Sequence, residues 1–102
     1  MKLRVNAGVC GFVTLIEATS EDMQNVVFLI ESDCPNIQRF KESFSETDAY
    51  DELKSKFEGA IHTASKNANL CTAGCPVPAA LHKAAQVTAG LALPRDASIE
   101  FE

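Results

Sequence analysis

The sequence predicts an α+β domain in which an antiparallel sheet is covered by helices on one face. The first third of the chain has the apolar patterns of strands. Apolar residues then recur every three or four positions, as in helices, and they alternate again in the last six residues. We therefore expect a single domain over residues 1–102, with a meander of three strands, two to three helices and a C-terminal strand in the order βββ-ααα-β.

Three segments predict the strands of the meander. Residues 2–7 alternate apolar and polar side chains. Residues 12–19 are rich in β-branched and aromatic residues, and residues 25–31 are apolar at nearly every position. A continuous apolar run suggests a strand buried on both faces, or on one face with a partly covered edge.

The helical part of the chain begins after the third strand. Ser32 or Asp33 can cap a helix that has Pro35 near its first turn. Gly90 suits the position after the last helix, and Pro94 bars its continuation. The predicted helices span residues 32–44, 48–58 and 77–90, residues 59–70 divide between helix and loop, and residues 97–102 form the last strand.

The second predicted helix has one apolar and one charged side. Tyr50, Leu53 and Phe57 form a stripe that we expect to face the core. Glu52 and Lys56 are spaced as an ion pair on the solvent-exposed side. No calcium-loop spacing is present among the carboxylates of this segment, so we interpret them as a solvated helix face.

The charge of the chain excludes several classes of partner. Nine basic and 14 acidic residues give a net charge of −5. Nucleic acids and anionic membrane surfaces both favour basic proteins, so we expect neither as a partner. No apolar run reaches the roughly 20 residues of a membrane span, and the first residues lack the apolar region of a signal peptide. We expect a cytoplasmic protein.

Four cysteines are the candidate functional residues. In a reducing compartment, spaced cysteines more often bind metals or perform thiol chemistry than form structural disulfides. A two-residue hairpin loop at positions 21–22 would bring Cys10 beside Cys34 at the ends of neighbouring strands. If every connection reverses the chain direction, Cys71 and Cys75 reach the same end of the sheet.

The local sequence around the cysteines favours the same interpretation. Cys34 and Cys75 each precede a proline that opens a predicted helix. A thiol there lies at the positive end of the helix dipole, which favours the thiolate that metals and electrophiles require. Cys71 and Cys75 have a spacing found in paired zinc ligands, and Cys10 lies among glycines that leave room for a metal.

Four stretches of the chain carry a resemblance to a known family. They are GVCGF (8–12), ESDCPNIQ (31–38), CPVPAAL (75–81) and AGLALP (89–94). With these motifs the chain resembles a family of small uncharacterised prokaryotic proteins, classed as a domain of unknown function. The family has no established activity, and the resemblance implies only that Cys10, Cys34 and Cys75 belong to its pattern.

The sequence thus leads to three hypotheses of function. In the first, Cys10, Cys34, Cys71 and Cys75 hold zinc or an iron–sulfur cluster. In the second, the protein performs thiol redox or thiol-transfer chemistry with Cys34 or Cys75. In the third, it is an interaction domain with buried cysteines and an unknown protein partner. The sequence leaves enzymatic activity and oligomeric state open.

The two histidines lie outside the cysteine pattern. His62 falls in the ambiguous 59–70 segment and is a minor candidate to replace one of the cysteine ligands, since it has no spacing partner. His82 lies beside Lys83 and Gln86, and we expect it to be a solvated helix residue.

Overall fold

The computed structural model describes residues 1–70 and 74–102. Within these residues the chain forms one antiparallel sheet of four strands and four α-helices, which confirms the α+β class. The strands are β1 (Lys2–Asn6), β2 (Val13–Thr19), β3 (Asn25–Ser32) and β4 (Glu46–Asp48), paired in the order β1-β2-β3-β4. The helices are α1 (Pro35–Ser43), α2 (Ala49–Ser55), α3 (Ala60–Asn67) and α4 (Val77–Thr88), with a 3₁₀ turn (Lys56–Glu58) between α2 and α3.

The core lies between one face of the sheet and the helices. Side chains alternate in burial along β2 and β3, so that Ile16 and Phe28 are buried while Leu15 and Leu29 are exposed. Helix α4 packs against β1 and β2, and α1 packs against β3. The apolar run of β3 is therefore buried on one face. None of the helices in the described ranges is long and apolar enough to cross a bilayer.

The predicted register of the β2–β3 hairpin is wrong. A two-residue loop at positions 21–22 would pair residue 14 with residue 29, whereas Thr14 pairs with Ser32. The predicted register would set the buried Thr14 opposite the exposed Leu29, and opposed residues must share a face of the sheet. It follows that the observed register does not place Cys10 opposite Cys34.

Asp22 explains why the loop is longer than predicted. Its carboxylate accepts hydrogen bonds from the backbone N–H groups of Gln24 and Asn25 and from the side chain of Asn25. These bonds lower the pKa of Asp22 to about 2. Met23 in the same loop has a φ of 58°, and the loop extends from residue 20 to residue 24. Side-chain hydrogen bonds of this kind stabilise a turn that alternation alone does not reveal.

The side of α2 that faces the core is also different from the predicted one. Asp48 caps α2, because its carboxylate accepts hydrogen bonds from the backbone N–H groups of Tyr50 and Asp51. The predicted core stripe is exposed, however: Leu53 is 46% exposed and Phe57 is 83% exposed. Glu52, expected in solvent, is buried instead. The short strand β4, which was not predicted, precedes α2 directly.

The predicted C-terminal strand over residues 97–102 is wrong. Residues 91–102 have no regular secondary structure, and Ile99 and Phe101 are 86% and 99% exposed. Two apolar residues in a six-residue segment bury too little surface to offset the entropy cost of ordering it. The fourth strand of the sheet is β4, so the observed order is βββ-α-β-ααα.

Removing residues 93–102 should leave the free energy of unfolding within about 0.5 kcal/mol of the intact chain, because these residues are exposed. Urea denaturation measures this difference. Removing residues 89–102 is the matched comparison: it also deletes the buried Ala89 and the N–H of Leu91 that bonds to Gln86, and should cost about 1–2 kcal/mol. A large loss from the shorter deletion would contradict the exposed tail.

Candidate functional site

Cys10 and Cys34 lie at one end of the sheet, as the sequence predicts. Cys10 is exposed in the turn between β1 and β2, and Cys34 is half-buried directly before α1. Both are free thiols. Cys34 itself occupies the cap position of α1, and the hydroxyl oxygen of Ser32 accepts its backbone N–H.

Cys75 lies directly before the first turn of helix α4. Gly90, just after this helix, lies against the side chain of Met23 in the β2–β3 loop, at the opposite end of the sheet. A helix of 12 residues spans about 18 Å, so the first turn of α4 lies about that far from the β2–β3 loop. Cys34 and Cys75 both pack against the hydrophobic core. Cys71 lies outside the described residues.

The four-cysteine metal site stays a prediction. In the part of the chain that the structure describes, no group of three or more histidine, cysteine, aspartate or glutamate residues is arranged to hold a metal ion. The predicted hairpin register, which was the argument for a close contact of Cys10 with Cys34, is wrong. The position of Cys10 and Cys34 at one end of the sheet remains as the support for this hypothesis.

A groove of about 910 Å³ opens between α2, the 3₁₀ turn, α3 and α4. Its apolar lining includes Leu53 and Phe57, the exposed residues of the second helical segment, together with Pro78 of α4. Polar and ionisable groups line it as well, and Cys75 lies at its border. An apolar groove with a few converging polar groups is the usual form of a ligand site.

Glu52 forms the buried wall of this groove. Its side chain is 4% exposed, and its Oε1 accepts hydrogen bonds from Thr47 Oγ1 at 2.7 Å and from the Ile61 N–H at 3.1 Å. Oε2 has no hydrogen-bond partner among the described residues and lies 3.8 Å from His82 Nδ1. The carboxylate therefore joins β4, α2 and the start of α3, and its other oxygen faces α4.

The imidazole rings of His82 and His62 lie between Glu52 and the opening of the groove. His82 Nε2 lies 3.4 Å from His62 Nδ1, and the two rings meet edge to face. The ring of Phe57 packs on His62 at 5.2 Å between centroids. Burial lowers the pKa of His82 below its usual value, with Glu52 opposing and His62 adding to this effect. Burial therefore favours the neutral form of His82.

Gly59 leaves the space that the carboxylate occupies. A Cβ atom on Gly59 would lie 2.6 Å from Glu52 Oε2 and 3.2 Å from its Cδ. The φ of Gly59 is −79°, which any residue can adopt, so the constraint is steric. Gly59 precedes α3 and has no side chain to cap it, and Glu52 accepts one of the first N–H groups of that helix instead.

Sequence reasoning missed Glu52 and His82 as partners. Both were expected in solvent, Glu52 as part of an ion pair with Lys56 and His82 as an exposed helix residue. The available signal was indirect: Ala49 and Glu52 lie three positions apart and form the buried side of α2. A helix with one apolar residue on its buried side gives no apolar stripe.

Gly59→Ala should destabilise the protein by about 1–3 kcal/mol, because the added methyl group must displace the Glu52 carboxylate. In a Glu52→Ala background the same substitution should cost about 1–2 kcal/mol less, since the atoms it would meet are gone. Urea denaturation of the four proteins completes this double-mutant cycle. Equal costs in the two backgrounds would show that Gly59 does not act through Glu52.

A protein-family model covers residues 1–101 of the chain, and its description is "Family of unknown function (DUF6951)". This match agrees with the resemblance to a domain of unknown function. Neither the comparison with curated proteins nor that with solved structures found a match.

Proposed function

The chain belongs to DUF6951, a family of unknown function, and we propose that it binds a small anionic molecule with an apolar body in the α2–α4 groove. The observation that carries this proposal is the charge of the lining. Lys56, Lys66 and Lys83 border the groove, and Glu52 is the acidic residue that the described lining contains. Three positive charges and one negative give the groove a local charge of +2, in a chain whose net charge is −5.

The apolar part of the lining supports an apolar ligand body. Phe57 is 83% exposed and lies beside Leu53 and Pro78 in the same groove. An exposed aromatic ring in a concave apolar surface is costly in water and is typical of a binding site. Lysines at the edge of such a surface attract an anionic group while the apolar body of the ligand covers the ring.

The hypotheses drawn from the sequence are compatible with this proposal and do not depend on it. A zinc or iron–sulfur site at the four cysteines and thiol chemistry at Cys34 or Cys75 remain proposals from the sequence. Cys75 borders the groove, so a ligand bound there would approach this thiol. That proximity favours thiol chemistry at Cys75 over Cys34 as the second candidate function.

Two fluorescent probes that share one aromatic body test the proposal. 1-Anilinonaphthalene-8-sulfonate carries a sulfonate, and N-phenyl-1-naphthylamine is its neutral counterpart. The sulfonated probe should bind saturably at one molecule per chain, and high salt should weaken its binding. The double variant Lys66→Gln/Lys83→Gln should lower its affinity about tenfold, at about 0.7 kcal/mol for each screened surface charge. The affinity for the neutral probe should not change.

The matched control is Lys2→Gln/Arg4→Gln, which removes two exposed positive charges on β1, away from the groove. This control should leave the affinity for both probes unchanged. An equal loss in the control and in the groove variant would show that net charge alone attracts the probe. Equal binding of both probes to all variants would contradict an anion-binding groove.

A further inference from the structure

We infer that His62 and His82 form a binding site for a divalent transition-metal ion of the zinc class, in which Glu52 orients His82. This site is separate from the four cysteines of the sequence hypothesis. It also does not depend on the anionic ligand proposed for the groove, because its ligands are the two imidazoles and not the lysines. Imidazole is a preferred ligand of zinc, nickel and copper and a poor one for magnesium or calcium.

The distance between the two ring nitrogens fits a shared metal ion. His62 Nδ1 and His82 Nε2 lie 3.4 Å apart. Zinc binds histidine nitrogens at about 2.0–2.1 Å in a tetrahedral arrangement, so two such ligands lie about 3.3–3.4 Å from each other. The separation of the two nitrogens therefore matches that of two ligands of one tetrahedral ion, which would replace the proton of the hydrogen bond between the rings.

Glu52 supplies the second, independent observation. Its Oε2 is buried without a hydrogen-bond partner in the described chain and lies 3.8 Å from His82 Nδ1, the nitrogen that does not face His62. When a metal occupies Nε2 of a neutral histidine, the proton lies on Nδ1. Histidine ligands commonly donate that N–H to a carboxylate, which fixes the ring and its tautomer. At 3.8 Å the two atoms are beyond hydrogen-bond distance, and Glu52 Oε2 would accept this proton after an approach of about 0.6–1.0 Å.

The surroundings hold Glu52 in this orientation and leave the metal position accessible. Thr47 and Ile61 hold Oε1, and Gly59 leaves room for Oε2. The imidazoles line the groove, from which an ion can enter. The described residues supply two protein ligands and no group of three, so the remaining positions are for water or for a bound molecule. Catalytic zinc sites keep one open position beside three protein ligands, so a site with two protein ligands leaves more positions open than those sites do.

Titration with Co²⁺ under anaerobic conditions tests the site and separates it from the cysteines. Cobalt bound by imidazole and water gives visible absorption bands without the near-ultraviolet charge-transfer band of a thiolate ligand. We expect one Co²⁺ per chain, no thiolate band, and displacement by Zn²⁺. His62→Asn should abolish this binding, and Glu52→Gln should weaken it about 10- to 100-fold. Cys34→Ser, the matched control, should bind as the original chain does.

The ring nitrogens themselves give a readout that needs no variant. The chain has two histidines, so the ¹⁵N signals of their rings are few and assignable. Zn²⁺ should shift His62 Nδ1 and His82 Nε2, while His82 Nδ1 keeps its proton. A thiolate band with unchanged imidazole signals would overturn the inference, as would the absence of saturable binding at about 1 mM metal. The variant Lys66→Gln/Lys83→Gln should still bind the metal. A failure of the metal site can therefore be told from a failure of the anion-binding proposal.

Discussion

The buried carboxylate of Glu52 is the interaction on which the arrangement of the helices depends. A carboxylate is costly to bury unless its oxygens accept hydrogen bonds, and here the donors come from different elements. Thr47 donates from β4, and Ile61 donates from the first turn of α3. Gly59, the residue directly before α3, has no side chain with which to cap that helix. One side chain of α2 therefore fixes where α3 begins relative to the sheet.

The groove is a consequence of this arrangement. Because Glu52 turns inward, the apolar residues on the other sides of the same helical segment, Leu53 and Phe57, are left on the surface and line the groove. The second oxygen of Glu52 faces His82, and His82 faces His62. A line of polar groups thus extends from the buried carboxylate to the groove. Positions held by packing and hydrogen bonds in this way are favourable for a binding site.

The sequence predicts those parts of the fold that local chemistry determines. Alternation identifies β1, and the second helix begins after residue 48 as predicted. Pro35 marks the first turn of α1 correctly, but the cap of that helix is Cys34 and not Ser32 or Asp33. The β2–β3 register could not be predicted, because it follows from hydrogen bonds of Asp22 in the loop. The role of Glu52 could not be predicted either, since periodicity places a charged residue in solvent and only tertiary contacts reverse this.

Amide hydrogen exchange at Ile61 tests the central role of Glu52 most directly. The first N–H groups of a helix have no partner within the helix and normally exchange rapidly. The Ile61 N–H donates to Glu52 Oε1 at 3.1 Å in a buried position. It should therefore exchange as slowly as the amides of the core strands, and Glu52→Ala should remove this protection. Rapid exchange at Ile61 in the unmodified chain would contradict the account.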